Sequence, residues 1–401
     1  MKTLKIKDGI TWVGALHPEL KTFDIIMETE FGTSYNSYIV KGNEKIALFE
    51  TVKVKFFDEY IKKLEAIVDI SKIDYIVVSH TEPDHAGSVE KILKLNPNIK
   101  IIGSRAAIRL LKEIVNGEFE SIIVKDGDAI SLGGKTLEFI MAPFLHWPDT
   151  MYTYIKEDKI LITCDSFGAH YSFEEILVSK VTKKKDYMSA LKYYYDMIMG
   201  PFKQHVLNAI EKIKDKKIEM ILTGHGPILD ENPWAIVNLY KEWSTEKNIF
   251  NKKTVVIPYV SAYGYTKSVA EALGRGIKSE VTIDVFIYDM EVEDKNFVLN
   301  QIRWADGVLF GTPTINGDAL PPIWDLLMAM SPIVHGRKLV AAFGSYGWSG
   351  EAIPNIEARF KMLRLKQFDQ GLKVIMKPSK DELDKAFEYG KRFAQTILGH
   401  N

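Results

Sequence analysis

The sequence predicts two domains of α/β type, on three observations. The chain of 401 residues is longer than a single hydrophobic core usually organises. Its first part mixes short strands with alternating strands and helices, whereas its last part contains five regular strand–helix repeats. The polar stretch Thr245–Lys253 lies between the two patterns. We therefore expect one domain over residues 1–250 and a second over residues 251–401.

The composition is that of a globular protein, with 46% hydrophobic and 26% charged residues. The formal net charge of -1 gives no broad basic field, so neither nucleic acid nor an anionic membrane is an expected partner. The single cysteine, Cys164, excludes a disulfide within one chain and a metal or iron–sulfur site built on cysteines. The start lacks the apolar segment of a signal peptide, and no apolar run is long enough to span a bilayer, so we expect a cytoplasmic protein.

Alternating apolar residues and short β-branched runs predict the strands of the first domain. These strands are expected at Thr11–Gly14, Ser37–Val40, Ile46–Phe49, Tyr75–Ser79, Ile99–Gly103, Ile122–Val124, Leu137–Met141, Met151–Ile155, Ile160–Thr163 and Glu219–Thr223. Apolar residues at helical spacing predict helices over Phe56–Val68 and Asp186–Lys214, the second interrupted near Gly200 and Pro201.

Strands and helices alternate strictly in the second domain. The expected pairs of strand and helix are Thr254–Tyr259 with Thr266–Ile277, Val281–Ile287 with Glu293–Trp304, Gly307–Gly311 with Pro322–Met330, Lys338–Gly344 with Gly350–Leu363, and Leu372–Met376 with Lys380–Leu398. This order predicts a doubly wound parallel sheet with helices on both faces.

The strongest functional signal is a run of potential metal ligands at the end of a predicted strand. His80, Glu82, Asp84 and His85 lie within six residues of one another. Pro83 lacks a backbone donor and disfavours the helical conformation for Glu82, so we expect a loop here rather than a helix. A loop can bring all four side chains around one point.

Three further candidate ligands, His146, Asp165 and His225, each follow an apolar strand. Loops at strand ends gather functional sites because the sheet holds them rigidly. Seven ligands suffice for two metal ions, with a carboxylate bridging them to offset the repulsion between the cations. Histidine mixed with three carboxylates, and without a thiolate, favours non-haem iron. The remaining histidines fit no such pattern and are expected to be structural or exposed: His17, His170, His205, His335 and His400.

A loop suited to phosphate follows the first strand of the second domain. Hydroxyl side chains and a glycine precede its helix, in the order Ser261, Tyr263, Gly264, Tyr265 and Thr266. Backbone N–H groups and the helix N-terminus add partial positive charge. The loop lacks the Gly-x-Gly-x-x-Gly pattern of dinucleotide sites and the Gly-Lys-Ser/Thr pattern of ATP or GTP sites, so a monophosphate cofactor such as FMN fits it better.

Two later strands end in loops on the same side of the sheet, where such a sheet reverses its strand order and binds its ligand. The first loop offers Thr312, Pro313, Thr314, Ile315 and Asn316, and the second offers Ser345, Tyr346, Gly347, Trp348, Ser349 and Gly350. Glycines let the backbone approach a flat ring, and Tyr346 and Trp348 present aromatic faces for stacking. The three loops together predict a flavin site.

The ligand run and the three loops together resemble the flavodiiron proteins, also called A-type flavoproteins, over essentially the whole chain. That family joins a metallo-β-lactamase-like αββα sandwich to a flavodoxin-like domain. Its di-iron motif is His-x-Glu-x-Asp-His, followed by a distant His, an Asp and a final His. The resemblance implies two irons, one held by His80, Glu82 and His146, the other by Asp84, His85 and His225, and both by a bridging Asp165. In some members the residue like His85 is not bound, so its role stays open.

Two further residues carry the resemblance. Zinc hydrolases on the same fold typically have histidine where this chain has Glu82, so the carboxylate separates the chain from them. A tyrosine like Tyr195 lines the di-iron pocket in relatives, which implies a catalytic donor role for Tyr195. Packing within its helix is the alternative for this tyrosine, and both readings stay open.

The resemblance also implies an activity and partners. The chain would reduce dioxygen to water, nitric oxide to nitrous oxide, or both, with FMN supplying electrons to the iron pair. A head-to-tail homodimer, alone or within a tetramer, would bring the FMN of one chain to the irons of the other. The electron donor would be a separate rubredoxin or reduced coenzyme F420. The rival readings are a zinc-dependent hydrolase fused to a flavodoxin module, and an electron carrier whose first domain is only a scaffold.

Overall fold

The computed structural model describes residues 2–399, and the chain divides into two compact units between Glu246 and Lys247. The fold class predicted from the sequence is confirmed: the first unit contains two packed sheets with helices, and the second contains one parallel sheet with helices on both faces. Among the described helices, none combines the length and the apolar character that crossing a bilayer requires.

The first unit contains many short strands. They are β1 (Leu4–Lys7), β2 (Ile10–Trp12), β3 (Ala15–His17), β4 (Thr22–Phe23), β5 (Met27–Glu28), β6 (Thr33–Tyr35), β7 (Tyr38–Lys41), β8 (Ile46–Phe49), β9 (Tyr75–Val78), β10 (Lys100–Gly103), β11 (Ser121–Ile123), β12 (Ala129–Ser131), β13 (Thr136–Met141), β14 (Met151–Ile155), β15 (Ile160–Cys164) and β16 (Met220–Thr223).

Over the described residues, the first unit also contains seven α-helices, which are interspersed with its strands along the chain. They are α1 (Phe57–Ile67), α2 (Pro83–Ala86), α3 (Val89–Leu95), α4 (Arg105–Val115), α5 (Lys184–Tyr194), α6 (Lys203–Ile213) and α7 (Pro233–Ser244). Between α5 and α6 the chain forms a π-helical turn, Tyr195–Met199, and a 3₁₀ turn, Gly200–Phe202. This irregular segment is the interruption that Gly200 and Pro201 predict.

Two sheets form the centre of the first unit. One has the order β1-β2-β7-β8-β9-β10-β11, and the other has the order β12-β13-β14-β15-β16. Buried side chains from both sheets, such as Trp12, Phe49, Phe139 and Leu222, form one apolar cluster. A second cluster joins helix residues, Leu64 of α1 among them, to outer sheet residues. The resulting order of layers is helix, sheet, sheet, helix, because each sheet buries both of its faces.

The second unit alternates strands and helices as predicted. Its strands are β17 (Lys253–Tyr259), β18 (Ile283–Asp289), β19 (Gly307–Gly311), β20 (Leu339–Tyr346), β21 (Lys366–Gln367) and β22 (Leu372–Ile375). Its helices are α8 (Tyr265–Lys278), α9 (Lys295–Trp304), α10 (Pro321–Ala329), α11 (Ala352–Met362) and α12 (Lys380–Leu398).

All strand pairs of the second unit are parallel, in the order β18-β17-β19-β20, and β20 then pairs with both β21 and β22. The chain therefore reverses its direction of winding between β17 and β19, because β18 lies on one side of β17 and all later strands lie on the other. A crevice forms outside the carboxyl ends of the strands at such a point. The loops after β17, β19 and β20 end at this edge.

Candidate metal centre and cofactor loops

The ligand run after β9 is a bend followed by one turn of helix. The sequence predicts a loop throughout, and this expectation is wrong for Pro83–Ala86, which form α2. Proline at the first helical position loses no hydrogen bond, since the N–H that it lacks would have no partner there. Glu82, which precedes Pro83, is extended (φ -56°, ψ 138°) as expected. The bend and the turn place all four candidate ligands on one side.

One group of ligands is built around the carboxylate of Glu82. Its Oε2 lies 3.1 Å from Nε2 of His80 and 2.9 Å from Nε2 of His146. The same two nitrogens lie 3.4 Å from Oδ2 of Asp165. One donor atom from each of these four residues lies within 4.8 Å of the others. This spacing allows one metal ion to contact all four.

A second group of ligands is built around the carboxylate of Asp84. Its Oδ2 lies 3.2 Å from Nε2 of His225 and 3.4 Å from Nε2 of His85. Oδ1 of Asp165 lies 2.9 Å from Nε2 of His85 and 3.4 Å from Nε2 of His225. The two oxygens of Asp165 therefore face different groups, and this carboxylate is placed to bridge two ions.

The geometry of the cluster suits metal ions better than hydrogen bonds. Both carboxylate oxygens of Asp84 and both ring nitrogens of His85 are buried and, among the described residues, lack a hydrogen-bond partner of acceptable geometry. Buried polar atoms without partners are costly, and a metal ion offsets that cost by binding several of them at once. Imidazole and carboxylate donors together fit non-haem iron.

The charges of the cluster indicate the same preference for cations. Burial lowers the pKa of His85, but the carboxylates of Asp84 and Asp165 outweigh it and bring that pKa to about 9. Burial likewise lowers the pKa of His146, and hydrogen bonds to Asp165 and Glu82 bring it to about 9. Burial raises the pKa of the Glu82 carboxyl, but hydrogen bonds from His146 and His80 outweigh it and hold that pKa well below its usual range. The carboxylates thus attract positive charge, which a metal ion supplies by displacing protons.

Side chains behind the ligands hold the imidazole rings. Asp149 Oδ1 lies 3.4 Å from Nδ1 of His80, and its Oδ2 accepts hydrogen bonds from the N–H and hydroxyl of Thr81 at 2.7 Å. His225 donates from Nδ1 to the carbonyl of Ser34 at 2.6 Å. Such partners fix which ring nitrogen is free to bind a metal. Asp149 lies three residues after His146, and no role was predicted for it from the sequence.

Tyr194 is a tyrosine whose contacts reach the cluster. Its hydroxyl donates to the backbone carbonyl of Asp165 at 3.0 Å, and its ring lies edge-on to His225. Tyr195, for which a donor role is expected from the resemblance, contacts α7. The hydroxyl of Tyr195 lies 2.7 Å from Oγ of Ser244, and its ring packs against Tyr240 and Trp243. These contacts favour the packing alternative, because they tie Tyr195 to α7.

The remaining histidines separate into structural and peripheral positions. His17 is buried against Tyr35, and His335 is buried beside Ser331. His205 is partly exposed, and His400 lies outside the described residues. His170 is also buried, but its ring packs edge-on to His225 at 5.0 Å between centroids. It is therefore a neighbour of the cluster that the sequence pattern alone did not reveal.

The three loops of the second unit enclose a cavity of about 100 Å³ at the edge of the sheet. Among the residues expected to bind a cofactor, Tyr263, Tyr265, Pro313, Thr314, Ile315, Ser345, Tyr346 and Gly347 line it. Ala262 and Met376 also line it, and neither was predicted from the sequence as a binding residue. Because most of the lining comes from the ends of β17, β19 and β20, the cavity lies where the strand order reverses.

The other expected cofactor residues surround this cavity. Gly264 precedes α8 with φ 79°, and an added Cβ there would meet nothing within 4 Å. Thr266 and Thr312 are buried; the hydroxyl of Thr266 lies 3.0 Å from that of Ser345, and the hydroxyl of Thr312 accepts the N–H of Leu320 at 3.0 Å. The remaining ones lie on the loops themselves: Ser261, Asn316, Trp348, Ser349 and Gly350.

Two aromatic rings on the cofactor loops are exposed. The exposed fraction is 83% for Tyr263 and 102% for Trp348, so both rings are free to cover a flat ligand. The open backbone at the start of α8 suits a phosphate group, since its first N–H groups have no partner within the helix. These features fit FMN.

A dinuclear ligand cluster on a two-sheet sandwich, followed by a flavodoxin-like sheet, defines a metalloflavoprotein of two domains. A family model described as ODP family beta lactamase matches residues 33–226, and a flavodoxin model matches residues 257–390. The chain is 42% identical over 402 residues to the flavo-diiron protein FprA2 of Clostridium acetobutylicum, across 99% of this chain and 100% of that protein. The chain belongs to the flavodiiron protein family.

Further relatives agree with this assignment. The nitric oxide reductase of Moorella thermoacetica is 35% identical over 397 residues, or 98% of each chain. Among solved structures, the rubredoxin oxygen:oxidoreductase of Desulfovibrio gigas superposes with a TM-score of 0.65 at 27% identity, covering 100% of this chain and 99% of that one. The flavodiiron protein of Giardia intestinalis superposes with a TM-score of 0.64 at 27% identity, covering 100% and 98%.

Proposed function

We propose that this chain is an oxidoreductase that reduces dioxygen to water, nitric oxide to nitrous oxide, or both, at a non-haem di-iron site supplied with electrons by FMN. The observation that carries this proposal is the carboxylate of Asp165, whose two oxygens face two separate groups of ligands. Relatives named nitric oxide reductase and rubredoxin oxygen:oxidoreductase support the reaction class.

The proposed ligand assignment follows the two groups. His80, Glu82 and His146 would hold one iron, Asp84, His85 and His225 the other, and Asp165 both. Iron is proposed rather than zinc because the reaction needs a metal with an accessible redox change. Two ferrous ions and reduced FMN together supply four electrons, the number that reduction of dioxygen to water requires.

The residues of the chain contribute orientation and exclusion of water. Asp149 holds the ring of His80, and the carbonyl of Ser34 holds the ring of His225. The candidate ligands are buried, apart from a partly exposed His146 side chain, so the pocket around them contains little water. A dry pocket strengthens the interaction of fixed charges with a small bound substrate. The hydroxyl of Tyr194 would hold the backbone of the bridging residue.

Partners and assembly form a further part of the proposal. A separate rubredoxin would donate electrons, since a relative of this chain is named for that reaction; reduced coenzyme F420 is the alternative donor. A head-to-tail homodimer, alone or within a tetramer, would pair the FMN of one chain with the irons of its partner. We place the protein in the cytoplasm, and we keep residues 1–250 and 251–401 as the proposed domain limits.

The proposed activity is tested on the purified full-length chain by three measurements. Elemental analysis should find about two irons per chain, and absorbance after acid release should find one FMN. Electrodes should then record consumption of dioxygen or nitric oxide with reduced rubredoxin as donor. Zinc in place of iron, together with hydrolysis of an ester or thioester, would overturn the proposal in favour of the hydrolase.

A further inference from the structure

Glu50 is a buried carboxylate behind the metal centre that the ligand assignment does not use. It directly follows β8, has φ 56°, and is only 1% exposed. Its Oε1 accepts the backbone N–H of Ser79 at 2.9 Å. Its Oε2 is buried and has no hydrogen-bond partner in the described part of the chain. An unpaired buried carboxylate oxygen is costly, so a partner for Oε2 is expected when the site is in use.

His85 has a buried ring nitrogen that lacks a hydrogen-bond acceptor within the part of the chain that the structure describes. Its Nε2 faces the ligands, 2.9 Å from Asp165 Oδ1, so its Nδ1 points away from the cluster. That Nδ1 is buried without a hydrogen-bond partner over residues 2–399. The rings of His80 and His225, in contrast, each have an oxygen near Nδ1, from Asp149 and from Ser34. Metal-binding histidines generally need such a partner to fix their tautomer.

Hydrogen bonds of the neighbouring residue place the backbone at Glu50 beside that of His85. Thr51, the residue after Glu50, clamps the backbone carbonyl of His85 with its N–H at 2.7 Å and its hydroxyl at 2.6 Å. The unpaired acceptor and the unpaired donor therefore belong to two buried segments that are hydrogen-bonded to each other.

We propose that Glu50 is the positioning residue of His85: when the metal pair is bound, its Oε2 comes within hydrogen-bond distance of Nδ1–H, accepts that hydrogen bond and thereby directs the unprotonated Nε2 at the metal. The inference rests on the proposed dinuclear site. It makes coordination by His85 depend on a carboxylate outside the ligand set. Without that acceptor, the neutral ring of His85 is divided between its two tautomers. In the molecules whose proton is on Nε2, that nitrogen has no free lone pair for the metal.

The test uses Glu50→Gln in the full-length chain. A glutamine side chain has one acceptor oxygen, so it can keep the bond to Ser79 or serve His85, but it cannot do both. Metal-free protein is titrated with Co²⁺ against a chelator, and the two dissociation constants are compared with those of the wild type. We expect one metal to bind about 10–100-fold more weakly, the range for loss of an outer hydrogen-bond partner, and the other to change by less than about threefold.

A double-mutant cycle separates positioning from a general structural role. His85→Asn removes the imidazole, so adding Glu50→Gln should then cause no further loss of metal affinity. An equal loss in both backgrounds, or an equal weakening of both metals by Glu50→Gln alone, would overturn the proposal. Asp158→Asn is the matched control, because Asp158 is another buried carboxylate, hydrogen-bonded to Lys135, outside the cluster. It should leave both dissociation constants unchanged.

A charge-conserving variant and the wild type itself provide two further controls. Glu50→Asp keeps the charge with a shorter reach, so it should recover part of the lost affinity if Glu50→Gln folds poorly; no recovery would count against the proposal. The wild type could bind two metal ions and yet consume neither dioxygen nor nitric oxide. The proposed reaction would then be wrong, but the double-mutant cycle would still test the role of Glu50. A wild type that binds no metal pair overturns both.

Discussion

The two candidate sites of this chain are built in opposite ways, although both lie at the ends of strands. The ligand cluster is buried, and its rings and carboxylates are held by Asp149, Ser34 and neighbouring backbone. The cofactor loops carry exposed rings, with Trp348 fully accessible to solvent. Metal ions need fixed distances within a few tenths of an ångström, whereas a flavin brings its own large surface.

Because one site is buried and the other is exposed, the protein contributes differently to each of them. The metal centre is positioned by the protein itself, because its ligands are buried in the sandwich and the rings of His80 and His225 have partners behind them. The cofactor site is completed by its ligand, because the rings of Tyr263 and Trp348 gain burial only when a flat molecule lies against them. Changes at one site should therefore leave occupancy of the other intact.

The largest effect is expected from Asp165→Asn. The amide cannot bridge two cations with two anionic oxygens, so bound iron should fall and consumption of dioxygen or nitric oxide should drop by more than about 100-fold. Bound FMN should stay at the wild-type level. Elemental analysis and flavin release on the same sample check both points, and a parallel loss of FMN would break the comparison.

The pH dependence of metal binding should also be large. In the metal-free chain the pKa values of His85 and His146 lie at about 9, above the unfolded value of about 6.5. Protons therefore compete with the metal until the pH passes 9, and Co²⁺ affinity should rise by roughly 100-fold between pH 6.5 and 9.

The stability of the metal-free chain should move in the opposite direction over that window. A folded-state pKa raised above the unfolded value contributes stability that is fully present below pH 6.5 and is lost as the pH rises through about 9. Thermal unfolding of metal-free protein should show this decline. FMN affinity between pH 7 and 9 is the internal control, since the three cofactor loops contain no histidine; a matching pH profile for FMN would contradict the separation.

A smaller effect on the metal centre is expected from Asp149→Asn. The change removes the charged acceptor behind His80 while the amide oxygen can still accept the N–H of Thr81. Metal affinity should fall by about 10–100-fold for the ion that His80 holds. Chelator competition measures this, and a loss shared equally with the second ion would argue for general unfolding.

On the cofactor side, Gly264→Val should weaken FMN binding by roughly tenfold. The backbone there has φ 79°, which costs a side chain about 1–2 kcal/mol. Fluorescence titration of FMN into the flavin-free chain measures the loss. Gly399→Val is the matched control, because Gly399 has φ 76° and equally open surroundings. An unchanged dissociation constant for Gly264→Val would show that this turn does not contact the cofactor.

The smallest effect distinguishes two adjacent tyrosines. Tyr194→Phe removes the hydrogen bond to the carbonyl of Asp165, and Tyr195→Phe removes the contact with Ser244. Each should lower the free energy of unfolding by about 0.5–1.5 kcal/mol. Only Tyr194→Phe should also lower the turnover number, by a few fold. A loss of turnover confined to Tyr195→Phe would instead support the donor role expected for Tyr195.

Much of the fold and of the ligand set was predictable because both are local in the sequence. The run from His80 to His85 is compact, and the strict alternation after Lys253 permits little besides a parallel sheet. The partners Asp149, Ser34 and Glu50 were not predictable, since nothing in their spacing shows which strand ends converge. Tyr194 and Tyr195 could not be distinguished by helical spacing, because the π-helical turn that begins at Tyr195 changes the angle between successive residues.

The candidate ligands come from both sheets of the sandwich: His80 to His85 follow β9 of one sheet, and His146, Asp165 and His225 follow strands of the other. Ions bound there would link the two sheets. They would stabilise the folded state, because they bind the native chain and not the unfolded one. At one hundred times its dissociation constant, a bound ion adds about 2.7 kcal/mol to the free energy of unfolding. An iron-starved cell would therefore expose this chain to its proteases, so the amount of enzyme would follow the iron supply even at a constant rate of synthesis.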